Sequence, residues 1–159
     1  MRQTVEALDV KRFVLLLFHR LGGKVMIKGS CLCSAIQFSL SSPPTMMATC
    51  HCSRCRKAGA STFVFVERAM FQWIAGEDFV ERHEPPAPYR YVRSFCRRCG
   101  SALGEIGSDA ASFPLAANLL DDDAGVRPRF HEFVAEKPAW YEICDDAKQF
   151  ALHPVKGND

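Results

Sequence analysis

The residues best suited to chemistry are cysteines, and most of them are clustered: Cys31-Leu32-Cys33, Cys50-His51-Cys52-Ser53-Arg54-Cys55 and Cys96-Arg97-Arg98-Cys99. Cys144 stands apart. In an extended segment residues i and i+2 face the same way, so Cys31 with Cys33, and Cys50 with Cys52, can each offer two sulfurs to one ion. His51 then points to the other side. The gaps Cys52 to Cys55 and Cys96 to Cys99 are those of a zinc knuckle, and Gly100 frees the second turn to adopt positive φ. A closed structural zinc takes four protein ligands, whereas a functional one takes three and keeps a position open. Two pairs make the closed set, so Cys31, Cys33, Cys96 and Cys99 are assigned to a structural zinc joining the first strand to a central hairpin. Cys50, Cys52 and Cys55 remain as one compact unit, a second zinc with an open position. The trio has a competing reading as another closed site, completed by His51, His131 or Cys144. Taken alone, Cys144 reads as a small buried hydrophobe. Disulfides fit less well, because a C-x-C bridge closes a strained ring and no clear secretory signal is present.

Charge decides what an open trio can do. Zn²⁺ with three thiolates carries a net −1, which makes it a poor source of hydroxide but leaves it able to bind a soft thiol as thiolate. A sulfur kept nucleophilic at neutral pH suits attack on an electrophilic carbonyl carbon. The catalytic weight therefore falls on Cys50, Cys52 and Cys55, with a small thiol and an aldehyde as substrates. Arg54, Arg56 and Lys57 flank one knuckle, and Arg93, Arg97 and Arg98 surround the other. Such charges favour thiolate ligands and could hold the carboxylates of an anionic thiol such as glutathione. Their plainer reading is a solvated basic rim. The alternative function is a non-catalytic zinc-binding module or thiol carrier whose rim meets a protein or nucleic acid. Nucleic acid is poorly supported, since the arginines are few and not interleaved with an aromatic ladder. His131, Tyr141 and Asp121 receive no catalytic role, because each alone is more often structural.

The elements that must carry these groups read as strands. Ile36, Phe38 and Leu40 alternate with Gln37 and Ser39, the pattern of a half-buried strand. Ser61 to Val66 is apolar on both faces and so central, and Phe71 to Ile74 offers another strand. The proline-rich run Glu84 to Pro88 must be a surface loop. Alternation from Tyr89 to Phe95, the Cys-Arg-Arg-Cys-Gly turn and Ser101 to Ile106 predict a hairpin. Phe113 to Leu120 and Arg129 to Val134 complete a mainly β domain of seven to nine short strands, with no long amphipathic helix after residue 26.

At 159 residues the chain has room for one domain of ordinary size. Its 48% hydrophobic and 24% charged residues exclude disorder, collagen and coiled coil. The net charge is +2, and all of the basic excess lies in residues 1–25, which hold five basic and two acidic residues and leave the rest of the chain at −1. That segment contains the apolar run Phe13 to Phe18, too short for a membrane span of ~20 residues and lacking the cleavage site of a signal peptide. Residues 1–25 are expected to be a dispensable extension, with translation from Met26 a further option, and residues 26–159 the single zinc-binding domain. The cytoplasm, where thiols stay reduced, is the expected location.

Three motifs together resemble one family. They are Gly29-x-Cys31-x-Cys33, then Cys50-His51-Cys52-x-x-Cys55-Arg56-x-x-x-Ala60, then Phe95-Cys96-x-x-Cys99-Gly100-Ser101-x-Leu103. With Leu120-Asp121-Asp122, Pro128, His131 and Lys137-Pro138-x-Trp140-Tyr141, they resemble the glutathione-dependent formaldehyde-activating enzyme and centromere protein V family over residues 28–150. The resemblance implies a small, complex antiparallel β-sheet zinc fold with little helix and two zinc ions per chain. One zinc would be structural, on Cys31, Cys33, Cys96 and Cys99. The second would lie on Cys50, Cys52 and Cys55, where the glutathione thiol binds. The implied reaction is addition of that thiol to formaldehyde, giving S-(hydroxymethyl)glutathione, a carbon–sulfur lyase reaction in reverse. Two positions depart from the family pattern: Ser34 and Asn118 stand where glycine is usual, and asparagine tolerates positive φ.

Overall fold

The computed structural model describes residues 26–154. The expected extension, residues 1–25, lies outside the described residues, as do 155–159. Eleven strands are described: β1 (Ile27–Ser30), β2 (Gln37–Leu40), β3 (Met46–Cys50), β4 (Thr62–Glu67), β5 (Phe71–Ala75), β6 (Val80–His83), β7 (Arg93–Cys96), β8 (Ala102–Gly104), β9 (Ser112–Ala116), β10 (Pro128–Glu132) and β11 (Lys148–Gln149). The one described α-helix, α1 (Ser53–Ala58), is the knuckle that carries Cys55. The domain is mainly β with little helix, as the sequence implies.

The strands form two sheets. One has the order β1-β2-β5, and the other β11-β10-β3-β4-β9-β8-β7-β6. Pairing is antiparallel except at β10, which runs parallel to both β3 and β11. β4 is central, as its two apolar faces predict, lying between β3 and β9 with Val64 and Val66 almost fully buried. Ser39, expected on a solvent face, is buried. Its strand is the middle one of the smaller sheet, where a small hydroxyl side chain fits under neighbours on both edges.

Aromatic rings join the sheets into one core. Phe38 on β2 stacks on Phe71 of β5 at 5.5 Å, and Phe71 meets Phe113 of β9 edge-on at 5.5 Å. Phe38, Leu40, Leu103, Ile106 and Leu115 bury almost all of their surface around this contact. Each such side chain contributes roughly 1.5–3 kcal/mol of transfer free energy, which fixes the sheets on which the cysteines are mounted.

The hairpin expected across Tyr89 to Ile106 is present but shorter. Only Arg93–Cys96 and Ala102–Gly104 pair, while Tyr89 and Tyr91 stay exposed in the loop that follows the prolines. Alternation alone predicted a longer strand. Instead the Arg54 guanidinium covers the Tyr89 ring at 4.2 Å and donates to the Tyr91 carbonyl at 3.3 Å, holding the loop against α1 by side-chain contacts. Similarly, the strand expected from Phe113 to Leu120 ends at Ala116 and turns into a short 3-10 helix, Ala117–Leu119. Asn118 sits in that turn without the positive φ considered for it.

Candidate metal centres

Cys31 follows β1 directly, and Cys33 lies in the turn that leads to β2. The turn is closed by Ser34 N–H donating to the Cys31 carbonyl at 2.8 Å and Cys31 N–H donating to the Ile36 carbonyl at 3.1 Å. It is therefore a turn, and not an extended segment, that brings the two sulfurs to 3.6 Å. Cys96 ends β7, and the tight turn back to β8 uses Gly100 at φ 73°, whose N–H donates to the Cys96 carbonyl at 2.8 Å. The Cys33 and Cys96 sulfurs are 4.0 Å apart, and all four sulfurs lie within 4.8 Å of one another. A tetrahedral Zn²⁺ with ~2.3 Å bonds needs sulfurs ~3.8 Å apart, so the four cysteines fit such an ion. These are the four cysteines that the sequence groups together.

Ser101 ties the two turns together and had no assigned role in the sequence reading. Its hydroxyl oxygen accepts from Leu32 N–H at 3.0 Å and lies 3.3 Å from the Cys99 sulfur. Hydrogen bonds from Ser101 pull the Cys99 thiol down to about 6, whereas burial pushes Cys96 up to about 11. Burial also opposes ionisation of Cys31, but donation from Ile36 N–H and from the Cys33 and Cys96 thiols prevails and lowers it. A cleft of about 560 Å³ opens beside this group between Leu32, Gly59 and Asp121; its lining includes Cys31 and Cys99 and none of the trio.

The trio is built where β3 runs into α1. Cys50 closes the strand, Cys52 caps the helix by accepting Cys55 N–H at 3.4 Å, and Cys55 lies inside the first turn. Gly59, at φ 85°, ends the helix so that the chain can return as β4. Both neighbouring strands grip this loop: Cys50 N–H donates to the Ser61 carbonyl at 2.8 Å and His51 N–H to the Glu132 carbonyl at 2.9 Å. The Glu136 carboxylate accepts Ser53 N–H at 2.9 Å. The three sulfurs lie within 4.8 Å of one another. They compete for one proton set: donation from Cys50 and Cys55 pulls Cys52 down to about 2, and the same contacts push Cys50 far up. Cys55 settles at about 11, where help from Cys50 is outweighed by Cys52 and by burial.

Among the described residues no further His, Cys, Asp or Glu joins the trio. The three closing ligands weighed from sequence are all elsewhere. His51 places its Nε2 at 2.8 Å from His131 Nδ1, and His131 Nε2 lies 3.0 Å from Asp145. A carboxylate can only accept, so in the neutral pair His131 donates to Asp145 and His51 donates to His131. Burial and the His131 and Lys137 charges hold His51 below its ordinary 6.5. Asp145 is held below the usual carboxylate range by Ala147 N–H and by His131. Cys144 is exposed, not the buried hydrophobe expected, because the segment around it is bound to the body through its neighbour Asp145.

The basic rim resolves residue by residue. Arg97 and Arg98 cover the Phe79 ring, and Arg97 also pairs with Asp78 at 3.7 Å. Arg56 and Lys57 are exposed. Arg93, expected beside Cys96, instead donates from Nη2 to the Cys55 sulfur at 3.2 Å. Asp121 is structural: it accepts from the Ser30 hydroxyl at 3.0 Å, while Lys28 N–H donates to Asp122 at 2.8 Å.

The family model described as glutathione-dependent formaldehyde-activating enzyme matches residues 26–136. The chain belongs to this family. A Halomonas elongata protein that carries the name of the glutathione-dependent formaldehyde-activating enzyme family is 29% identical over 133 residues, covering 75% of this chain and 82% of that protein. A solved Rhodobacter sphaeroides protein is 23% identical, with a TM-score of 0.49 over 64% of this chain and 92% of that one. Both cysteine groups fall within the stretch matched to the glutathione-dependent formaldehyde-activating enzyme family.

Proposed function

We propose that this protein adds a small thiol, glutathione, to formaldehyde or a related aldehyde, giving a hemithioacetal, which with formaldehyde is S-(hydroxymethyl)glutathione; this is a carbon–sulfur lyase reaction written in reverse. The observation that carries the proposal is the trio of Cys50, Cys52 and Cys55, three sulfurs spaced for one ion with no fourth protein ligand among the described residues. Two zinc ions per chain are proposed, the other held by Cys31, Cys33, Cys96 and Cys99 and purely structural. Zinc at the trio would supply a soft centre able to keep an exogenous thiol ionised at neutral pH. The protein's own contribution is to hold three thiolates in one place, fixed by the ladder bonds from Ser61 and Glu132 and by the helix cap at Cys52. In the addition the thiol gives up its proton on ionising, its sulfur bonds to the carbonyl carbon, the carbonyl π pair moves to oxygen, and that oxygen takes up one proton in place of the one the thiol released. Seven thiolate ligands require a reducing compartment, so the proposed location is the cytoplasm. Among the described residues no helix is long and apolar enough to cross a membrane.

Zinc X-ray absorption with and without glutathione tests this reading. The expected result is an average first shell richer in sulfur on adding glutathione, arising from the trio alone. A first shell that is already four-coordinate from protein atoms at both ions, and unchanged by the thiol, would overturn it.

A further inference from the structure

Arg93 is the one basic side chain whose described contacts reach the trio. It lies on β7, three residues before Cys96, yet its Nη2 crosses to Cys55, so a single strand serves both cysteine groups. The rest of its guanidinium is unusual. Its Nε is buried with no hydrogen-bond partner, and so is Oε1 of Glu105, just beyond β8. Burial pushes the Glu105 carboxyl up while the Arg93 charge pulls it down, so the two groups feel each other, but no described ion pair joins them. A buried charged donor left unmade is costly and rare in folded proteins. The guanidinium is a rigid planar fork whose charge is shared over its three nitrogens, so the contact of Nη2 fixes that charge within a few ångströms of the Cys55 sulfur.

We infer that Arg93 is the residue that selects an anionic thiolate as the fourth group at the trio: Nη2 holds the Cys55 sulfur and so keeps the guanidinium charge beside the incoming anion. The inference rests on the reading of the trio as an open thiol site and deepens it. An ion held by three thiolates already carries net negative charge, so a second negative group is disfavoured there unless a cation stands beside it. A guanidinium supplies that charge and directs it through hydrogen bonds, which are about twice as strong when one partner is ionised. A neutral water gains less from the same neighbour than a thiolate does. Lysine could supply the charge but not the fork, and glutamine neither, so the side chains rank Arg, Lys, Gln.

The test uses the full chain loaded with Co²⁺ in place of zinc, whose sulfur-to-metal absorption reports the ligand set. Glutathione and mercaptoacetate are titrated separately into wild type, Arg93→Lys and Arg93→Gln, and zinc affinity is measured alongside by chelator competition. A lost hydrogen bond to a charged group corresponds to roughly 10- to 100-fold. The expected result is a thiol midpoint raised by that factor in Arg93→Gln and by less in Arg93→Lys, with one of the two zinc affinities weakened and the other unchanged. Both thiols binding the variants at wild-type midpoints would overturn the Arg93 inference and leave the glutathione reading intact. A response to mercaptoacetate but not glutathione, weakened in Arg93→Gln, would sink the glutathione reading and keep Arg93. No response to either thiol in wild type overturns both. If Arg93→Gln does not fold, Arg93→Lys decides: an unchanged midpoint there rejects the fork.

Discussion

Ser34 turns the chain from Cys33 back into the core with φ 56°, one of only two non-glycine residues at positive φ among those described. A side chain in that region costs roughly 1–2 kcal/mol, and glycine would relieve it at an entropic cost of about 0.5–1 kcal/mol. Ser34→Gly is therefore expected to be slightly stabilising, about 0.5 kcal/mol, on the balance of those two effects. Ser34→Val, β-branched at the same φ, is expected to lose about 1–2 kcal/mol. Urea unfolding of both variants checks this, and a glycine variant less stable than the valine one would contradict it. The positive φ at Ser34 gives a backbone cause for the glycine that the resemblance implies at this position. The grouping of the cysteines was legible because residues two or three apart cannot lie far from one another, although the local backbone at Cys31 and Cys33 is a turn where an extended segment was expected. Arg93 and Ser101 were not: their partners, Cys55 and Leu32, lie 38 and 69 residues away, and only the folded hairpin brings them together.

At the scale of elements, legibility followed periodicity. β2 announces itself through alternation of Phe38 and Leu40 with polar residues, β4 and β9 through apolar runs. β1, β3, β6 and β11 do not, being two to five residues long with polar or small members and set by their neighbours. β1 shows how tightly such a strand can still be constrained. A Cβ on Gly29 would lie 2.1 Å from the Phe38 ring and 2.8 Å from the Leu119 carbonyl oxygen, and Gly29 also bridges to Leu120. The ring is locked in the aromatic stack between the sheets and the oxygen is backbone, so neither can yield cheaply. Gly29→Ala should cost ~1–3 kcal/mol, as overpacking does in a close-packed core. Because Gly29 immediately precedes Ser30 and Cys31, the same change is expected to weaken zinc at the four-cysteine group more than at the trio. Denaturant unfolding with zinc quantification checks both effects, and wild-type stability in the variant would show that β1 can shift away from β2.

The whole molecule carries two pH-responsive groups of opposite sign, the buried His51 and the half-buried Glu105. His51 is held below its ordinary 6.5 chiefly by burial, so the folded state keeps it neutral; its contribution is present above that value and fades as pH falls toward the folded one. Glu105 is raised above its ordinary 4.5 by burial. The folded state therefore binds its proton more tightly than the unfolded chain does, and its contribution is present below 4.5 and lost as pH rises through the folded value. Ionising Glu105 is a cost that the folded protein carries, and acidification relieves it while His51 loses ground. Glu105→Gln separates these effects, since metal loss and His51 act equally in both proteins and cancel in the difference. The variant is expected to melt higher than wild type at pH 7. Its margin should shrink steadily as pH falls toward 4.5 and vanish below it. Melting temperature followed by circular dichroism across that range is the measurement. A variant less stable at pH 7, or a margin that does not change with pH, would mean that the attraction between Glu105 and Arg93 outweighs the cost of burying the carboxylate.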